Sequence, residues 1–263
     1  MHKHLILIII LGILLPASPL FAGKRVADRD FYQIKIYHLK NTEQEKLVDE
    51  FLKLAYLPAL HRAGITNVGV FKPVRSDDPQ AEQLIYVFIP FRSYSHFSKL
   101  EKSLEKDNKL ISDGKVYLDA LLTAAPYERI ETILLNAFEG HPNFKMPNLT
   151  SAKATRIYEL RSYEGPTEKR FKNKVEMFNK GDEIGLFKRL NFNAVFYGEV
   201  ISGSRMPNLM YLTTFENKAD RDEHWKTFGK DEQWQKLKTM PEYQNNVSRN
   251  DTRFLYPVDY SDI

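Results

Sequence analysis

The amino-acid sequence repeats itself at an interval of about 126 residues. Residues 32–37, YQIKIY, align with residues 158–163, YELRSY, at an offset of 126 (158 minus 32). Farther along, residues 84–86 align with residues 209–211 at an offset of 125 (209 minus 84). The spacing is therefore kept even where the residue identities differ. Two similar units in one chain can pack their sheets against each other without a second molecule.

Each unit has the pattern of a ferredoxin-like fold. Alternating apolar residues predict four strands in unit one, at 31–39, 68–74, 84–90 and 129–138. The corresponding strands of unit two are predicted at 156–163, 193–201, 209–215 and 252–258. Apolar residues at helical spacing follow the first and third strand of each unit. The resulting order is β-α-β-β-α-β, so the predicted fold class is α+β with two tandem ferredoxin-like units.

The N-terminal segment has the features of a secretory signal peptide. Lys3 supplies a positive charge, Leu5–Leu15 is an apolar run, and Ala22 is a small residue suited to cleavage. The apolar run is shorter than the roughly 20 residues that a spanning helix needs. We therefore expect an exported protein, periplasmic or secreted, with residues 1–22 removed; an uncleaved anchor is the alternative.

The remaining boundaries follow from composition. A stretch rich in Gly, Pro and Asn separates the two units. The predicted divisions are unit one at 23–138, a linker at 139–152 and unit two at 153–263.

Composition excludes several classes of site. The chain has no cysteine, so disulfides and thiolate metal sites are ruled out. Without Lys3 the formal charge is +3 (4 minus 1) and the charges are mixed, which indicates neither a nucleic-acid surface nor a membrane span after cleavage. The histidines have no HExxH or i,i+4 spacing, and no GxSxG or GxxxxGK motif is present. We expect no metal site.

The ordered motifs of unit two resemble a NIPSNAP domain. They are Tyr158-Glu159-Leu160-Arg161 on a strand, Phe196-Tyr197-Gly198-Glu199, Leu209-Met210-Tyr211-Leu212, and Ala219-Asp220-Arg221 followed by Trp225 and Trp234. Unit one resembles the domain only in plan. The resemblance implies a pseudo-dimeric α/β barrel, with two sheets facing each other and helices outside. It also implies relatives that include cofactor-free monooxygenases and heme enzymes, whereas NIPSNAP proteins mostly lack an established reaction.

Strand alternation suggests which side chains line a ligand cavity. We expect the purely apolar face of each opening strand to lie under the helices and the mixed polar face to line the space between the sheets. The candidate ligand-binding residues on that mixed face are Lys35, Tyr37, Glu159, Arg161, Tyr163, Tyr197 and Glu199. Arg161 would bind a carboxylate through two parallel hydrogen bonds. Alternatively, Glu159 and Arg161 form a structural ion pair.

The expected function follows from this cavity. We predict a NIPSNAP-like protein that binds a small organic ligand or a protein partner through the inter-sheet cavity, with no cofactor; self-association stays open. A cofactor-free monooxygenase or a heme-dependent enzyme is the alternative, with His38 the better candidate for a single axial ligand. A purely structural module is a third reading. The sequence assigns no catalytic residue.

Overall fold

The structure is a computed structural model that describes residues 28–74 and 81–263. The predicted signal peptide at 1–22 lies outside the described residues. Within the described ranges, no helix is both long enough and apolar enough to cross a membrane.

Eight antiparallel strands form one closed barrel. They are β1 (Phe31–Leu39), β2 (Gly69–Pro73), β3 (Gln83–Phe91), β4 (Arg129–Ala137), β5 (Ile157–Glu164), β6 (Phe196–Ser202), β7 (Asn208–Phe215) and β8 (Arg249–Pro257). Their order around the barrel is β1-β3-β2-β8-β5-β7-β6-β4, and β4 pairs with β1 to close it. The predicted strands are all present, and the predicted pseudo-dimeric α/β barrel is confirmed.

Each unit contributes four adjacent strands. Unit one supplies β4-β1-β3-β2 and unit two supplies β8-β5-β7-β6, which is the ferredoxin-like order in both cases. Two short seams join them: residues 71–73 of β2 pair with 255–257 of β8, and β4 pairs with β6 across a register shift after Leu134. Since both sheet edges are paired, neither unit exposes a free edge there.

Nine α-helices, one π-helical segment and short 3-10 turns account for the described helical residues. The α-helices are α1 (Thr42–Phe51), α2 (Leu57–Arg62), α3 (Tyr94–Leu104), α4 (Asn108–Asp113), α5 (Lys115–Leu118), α6 (Glu168–Asn179), α7 (Glu183–Arg189), α8 (Lys218–Lys230) and α9 (Glu232–Leu237). A π-helical segment, Leu52–Tyr56, joins α1 to α2 just before Pro58. Pro58 has no backbone N–H, so an irregularity at this point is expected.

Side chains at the helix starts fix where the helices begin. Asn41 caps α1: its Oδ1 accepts the Gln44 N–H at 2.9 Å, while the Gln44 side chain accepts the Lys40 N–H at 2.7 Å. The bond from Gln44 N–H to Asn41 is the N-cap bond of a capping box, and the return bond goes to the residue before the cap. Thr167 caps α6 at the equivalent place in unit two. The same device therefore orients the first helix of both units.

Three apolar cores stabilise the molecule. One fills the barrel and draws residues from both units. The other two lie outside the barrel, one under the helices of each unit. Inside the barrel, Tyr32 packs on Phe196 at 5.2 Å and Phe71 packs on Tyr158 at 4.8 Å between ring centroids. These aromatic rings close the end of the barrel where β1 and β5 begin.

Candidate functional site

The polar face of the opening strands points at the helices, away from the barrel interior. Tyr32, Ile34 and Ile36 belong to the core inside the barrel, as do Tyr158 and Leu160. The alternate residues of these strands pack against the outer helices. The prediction that the mixed face lines the inter-sheet space is therefore wrong. It fails for Lys35, Tyr37, Glu159, Arg161, Tyr163, Tyr197 and Glu199.

The reason is that only strands line the interior of a closed barrel, whereas helices cover its outer face. Strands from both units surround the interior, and apolar side chains fill most of it. The helices supply their own charged and indole groups, so a polar side chain on the outer face can be paired there. Glu159 shows this directly, because its partners come from β5 and α8.

In unit two the outer face carries a fully satisfied buried carboxylate. Glu159 has no exposed surface and accepts four hydrogen bonds. Arg221 donates to both of its oxygens at 2.7 and 2.8 Å. Arg161 donates Nε–H at 2.7 Å, and the Trp225 indole N–H donates at 2.7 Å. Burial alone would raise the pKa of Glu159, but the bonds from the two guanidinium groups outweigh it and hold the pKa below its ordinary range.

The rest of this face is filled by aromatic rings. The Arg161 guanidinium lies 3.9 Å from the Trp225 ring centroid and donates to the Tyr163 hydroxyl at 3.0 Å. Tyr163 in turn bonds the Tyr211 hydroxyl at 2.9 Å. Tyr197 is fully buried and stacks 5.5 Å from Tyr211. These contacts fit the structural ion pair that was the alternative interpretation of Glu159 and Arg161.

Glu199 lies apart from this network. Its carboxylate accepts from Lys172 at 2.7 Å and lies 3.8 Å from Arg29. Lys172 is largely exposed, so the pair belongs to the surface. Glu199 and Glu159 therefore do not converge on one ligand position.

In unit one the equivalent outer face holds an open cavity of about 580 Å³. We call it the unit-one cavity. Its wall is β1, and α1, α3, α4, α5 and the π-helical segment surround it. The lining residues are Gln33, Lys35, Tyr37, Phe51, Tyr56, Phe97, Ser98, Leu100, Glu101, Leu104, Glu105, Leu110, Ile111, Tyr117 and Leu118. Two of the predicted ligand-binding residues, Lys35 and Tyr37, thus line a cavity, though not the one predicted.

Lys35 is the cation of this cavity. Its ammonium lies 4.9 Å from the centroid of the Tyr56 ring and 5.6 Å from that of Tyr37. Among the described residues, no carboxylate lies within 4 Å of it, whereas Arg161 at the equivalent position contacts Glu159. Desolvation lowers the pKa of Lys35 to about 8. Gln33 occupies the place of Glu159, and this exchange removes the acid that would pair with the amine.

Tyr37 adds a buried hydroxyl to the same wall. Its side chain is fully buried, and its oxygen has no hydrogen-bond partner in the described part of the chain. Burial, reinforced by the neighbouring Tyr117 and Tyr56 phenols, raises the pKa of Tyr37 well above its ordinary value. The group therefore stays neutral and can donate a hydrogen bond.

The helices supply aromatic side chains that the sequence analysis missed. Phe51 stacks on Tyr117 with 3.7 Å between ring centroids, and on Tyr56 at 5.7 Å. Tyr56 belongs to the π-helical segment, and such segments occur frequently at functional sites. Since Tyr117 lies some 80 positions from β1 along the chain, strand periodicity could not connect the two.

A second, smaller cavity lies inside the barrel at the end opposite the aromatic rings. Its volume is about 80 Å³, and His38 and Arg253 are among its lining residues. An inter-sheet cavity therefore exists, with none of the predicted ligand-binding residues in its lining. Over residues 28–74 and 81–263, no three His, Asp or Glu side chains are arranged to hold a metal ion.

Comparison with known proteins relates the second unit to a family. Residues 158–262 match the model of the NIPSNAP family. The matched residues, which make up less than half of the chain, resemble a NIPSNAP domain. No curated protein matches the chain. A NIPSNAP family protein of Agrobacterium tumefaciens is similar at 19% identity, covering 46% of this chain and 98% of its own, with a TM-score of 0.37.

Solved structures support the barrel over nearly the whole chain. A candidate monooxygenase of Fusobacterium nucleatum is 7% identical over 88% of this chain and 93% of its own, with a TM-score of 0.57. A candidate monooxygenase of Lactobacillus acidophilus is 11% identical over 87% and 94%, with a TM-score of 0.54. At these identities the likeness shows the fold. The residues that match the NIPSNAP model thus carry the filled network around Glu159, and the unit-one cavity lies outside the family match.

Proposed function

We propose that the protein binds a small aromatic acid in the unit-one cavity. Lys35 is the counter-ion of the acid, and Tyr37 donates a hydrogen bond to it. The aromatic and aliphatic side chains of the helices hold the ring system. Ligand binding is the role expected from the sequence, but the proposed site lies between β1 and the helices and not in the inter-sheet space.

The observation that carries the proposal is the difference between the two equivalent positions. In unit two, Arg161 has Glu159 as its buried partner at 2.7 Å. In unit one, the partner has become Gln33 and the helices leave room beside Lys35. A desolvated ammonium without a carboxylate is unfavourable, and an anionic ligand would supply the missing charge.

The size and lining of the cavity narrow the ligand class. Its volume of about 580 Å³ falls in the range of pockets that bind small organic molecules. Glu101 of α3 and Glu105, which directly follows α3, also belong to the lining, but both residues are exposed. The buried charge of the cavity is therefore that of the Lys35 ammonium, which lies beside the rings of Tyr37 and Tyr56.

Binding of 2-naphthoate and its neutral analogue 2-naphthamide tests this role. We expect naphthoate to bind at least about tenfold more tightly, which corresponds to about 1.4 kcal/mol. Lys35→Met should remove the preference, and the control Lys226→Met, an exposed residue of α8, should keep it. Calorimetry gives both affinities. Equal affinity of the two probes for the unaltered protein would contradict the proposal.

The pH dependence of naphthoate binding gives a second test. The carboxylate binds the protonated amine, and free Lys35 loses its proton as the pH rises through about 8. Affinity should therefore be constant below that pH and fall above it, by up to about tenfold per pH unit. Lys35→Arg should bind with no such decline, because a guanidinium stays charged. A decline of the same size in that variant would assign the titration to another group.

An enzymatic alternative would use the same cavity. At neutral pH part of the Lys35 population is unprotonated, so the amine could take a proton from an acidic substrate, as cofactor-free oxygenation of a phenol requires. The similar folds named above include candidate monooxygenases. A histidine-ligated heme does not fit, since the described lining contains no histidine. Oxygen consumption with a polyphenol would favour the enzyme over simple binding.

Export is part of the proposal and is supported only by the sequence of residues 1–22. A charged start, an apolar run and a small residue before the cleavage point suit secretion. The protein would then meet its ligand outside the cytoplasm.

A further inference from the structure

The small cavity inside the barrel has a composition unlike the rest of the interior. We call it the barrel mouth. It lies where β1 and β5 end, and its inner walls are apolar residues such as Leu160 and Met210. Its outer lining is charged or polar: His38, Glu82, Glu131, Ser162, Ser204, Arg205, Asn208, Asp251 and Arg253. It is separate from the unit-one cavity and shares no lining residue with it.

Two of the three acidic residues of the barrel mouth, Glu82 and Glu131, belong to unit one, and the third, Asp251, lies on β8 of unit two. His38 is held between two carboxylates: Nδ1 is 3.4 Å from Glu82 and Nε2 is 3.6 Å from Glu131. Glu131 also accepts the Ser204 hydroxyl at 2.5 Å and lies 3.6 Å from Arg129, which is largely exposed. This side of the mouth is electronegative.

The basic group with free donors lies on the opposite strands, in unit two. Arg253 uses Nε to contact Asp251 at 3.2 Å. Within the described ranges its two terminal nitrogens have no acceptor. Arg205 is neutralised differently, by Asp251 at 2.9 Å and Glu164 at 3.7 Å. The positive group that faces the mouth with donors to spare is therefore Arg253.

Two buried polar atoms at the mouth lack partners. Asn208 is 2% exposed, and its Nδ2 donates to Ser162 at 2.9 Å while its Oδ1 accepts nothing from the described residues. His38 is 8% exposed, and its Nε2 is likewise without a hydrogen bond. Buried polar groups in native proteins are nearly always bonded, to protein or to something held in the site. Both atoms belong to the lining of the cavity.

We propose that the barrel mouth binds a small zwitterion, an α-amino acid of the size of glycine to serine. Its carboxylate contacts the terminal nitrogens of Arg253, and its ammonium contacts Glu131 beside His38. Asn208 Oδ1 supplies a further acceptor. The volume of about 80 Å³, at about 10–15 Å³ per water position, holds roughly five to eight non-hydrogen atoms. The inference does not depend on the aromatic acid proposed for the other cavity.

Charge separation selects a zwitterion over a simple ion. An anion bound to Arg253 would give the carboxylates of Glu131 and Glu82 no additional positive partner. A cation beside Glu131 would leave Arg253 with unused donors. One molecule with both charges satisfies both sides, and opposite charges placed on opposite walls also fix its orientation.

Titration with glycine, acetate and methylammonium tests the proposal. We expect the full-length protein to bind glycine with a Kd of about 1 mM or below. Acetate and methylammonium each carry only one of the two charges and should bind at least about tenfold more weakly. In a 15N-labelled sample, glycine should shift the side-chain amide signal of Asn208. Glycine that binds no more tightly than acetate, or that leaves this signal unmoved, would overturn the proposal.

Two variants assign the contacts. Arg253→Met and Glu131→Gln should each weaken glycine binding by about tenfold or more, while Lys172→Met, an exposed residue of α6, leaves it unchanged. Both tested side chains are partly exposed, and thermal unfolding of each variant shows whether the barrel is intact. Folded variants that keep the original glycine affinity would overturn the assignment of the site.

Discussion

Replacing Glu159 by alanine is expected to lower the free energy of unfolding by about 3–5 kcal/mol. The substitution removes a fully buried carboxylate, which leaves the charge of Arg161 unpaired and leaves Arg221 with only the half-exposed Asp222 as a partner. It also leaves the Trp225 indole N–H without its acceptor. Removing one partner of a buried pair is more harmful than never burying the pair, because the remaining charge keeps its desolvation penalty.

Urea unfolding of matched variants measures this effect. Glu159→Gln keeps the shape and should lose less than the alanine variant. Asp222→Asn removes another carboxylate from the same Arg221, but Asp222 is about half exposed, so we expect a change of about 1 kcal/mol or less.

The duplication offers a further control. Gln33 occupies the equivalent position of unit one, on the wall of an open cavity, so Gln33→Ala should change the stability by about 1 kcal/mol or less. A similar small loss for Glu159→Ala would show that the network around it is not a stability element. It would also remove the contrast on which the ligand role of Lys35 is based.

The fold could be predicted because its signals are local and occur twice. The alternation of apolar residues from Phe31 to Leu39 marks β1 along its whole length. The same alternation recurs at β5. Because the two units align along their length, the same strand order is expected in both halves of the barrel. The pairing of β2 with β8 at the seam between the units involves only three residue pairs, and no sequence pattern predicts it.

The face of the strands could not be predicted in the same way. Alternation shows that Glu159 and Leu160 point in opposite directions, but it does not say which direction is the interior. The direction depends on whether hydrogen-bond partners for Glu159 are present on the outer side of the sheet. Those partners, Arg221 and Trp225 of α8, lie more than 60 positions from Glu159 in the sequence. In the sequence, Arg221 and Trp225 contributed to the family resemblance, and their bonds to Glu159 were not anticipated.

Part of the candidate site was predicted from the sequence, and comparison of the two repeated units explains why. Lys35 and Tyr37 were selected as polar residues on a strand, and they do line a cavity. What selects unit one over unit two is the change from Glu159 to Gln33, which the alignment of the two units contains. The surrounding rings, Tyr56 and Tyr117, come from helices whose positions over β1 are set by tertiary packing.

Expressed alone, residues 153–263 should fold only as a homodimer. Separation from unit one uncovers the interior face of its sheet and both of its sheet edges. The uncovered apolar residues are Tyr158, Leu160, Val195, Phe196, Val200, Met210, Leu212, Leu255 and Ile263. At about 1.5–3 kcal/mol for each large side chain, their exposure would offset most or all of the roughly 5–15 kcal/mol that stabilises a typical domain. A second copy can cover this face, because β6 and β8 are the equivalents of β2 and β4 and can pair across the dyad.

Light scattering and circular dichroism distinguish the outcomes. We expect twice the mass of the half-chain together with native-like secondary structure, and dissociation and unfolding in one concentration-dependent transition. Leu160→Asp, which places a charge on the interior face, should abolish both folding and dimerisation. The matched change Lys169→Glu, on the exposed side of α6, should affect neither. A folded, monomeric half-chain would mean that the interior face is stable without a partner sheet. It would contradict the explanation that two fused units form one barrel because each sheet must cover the other.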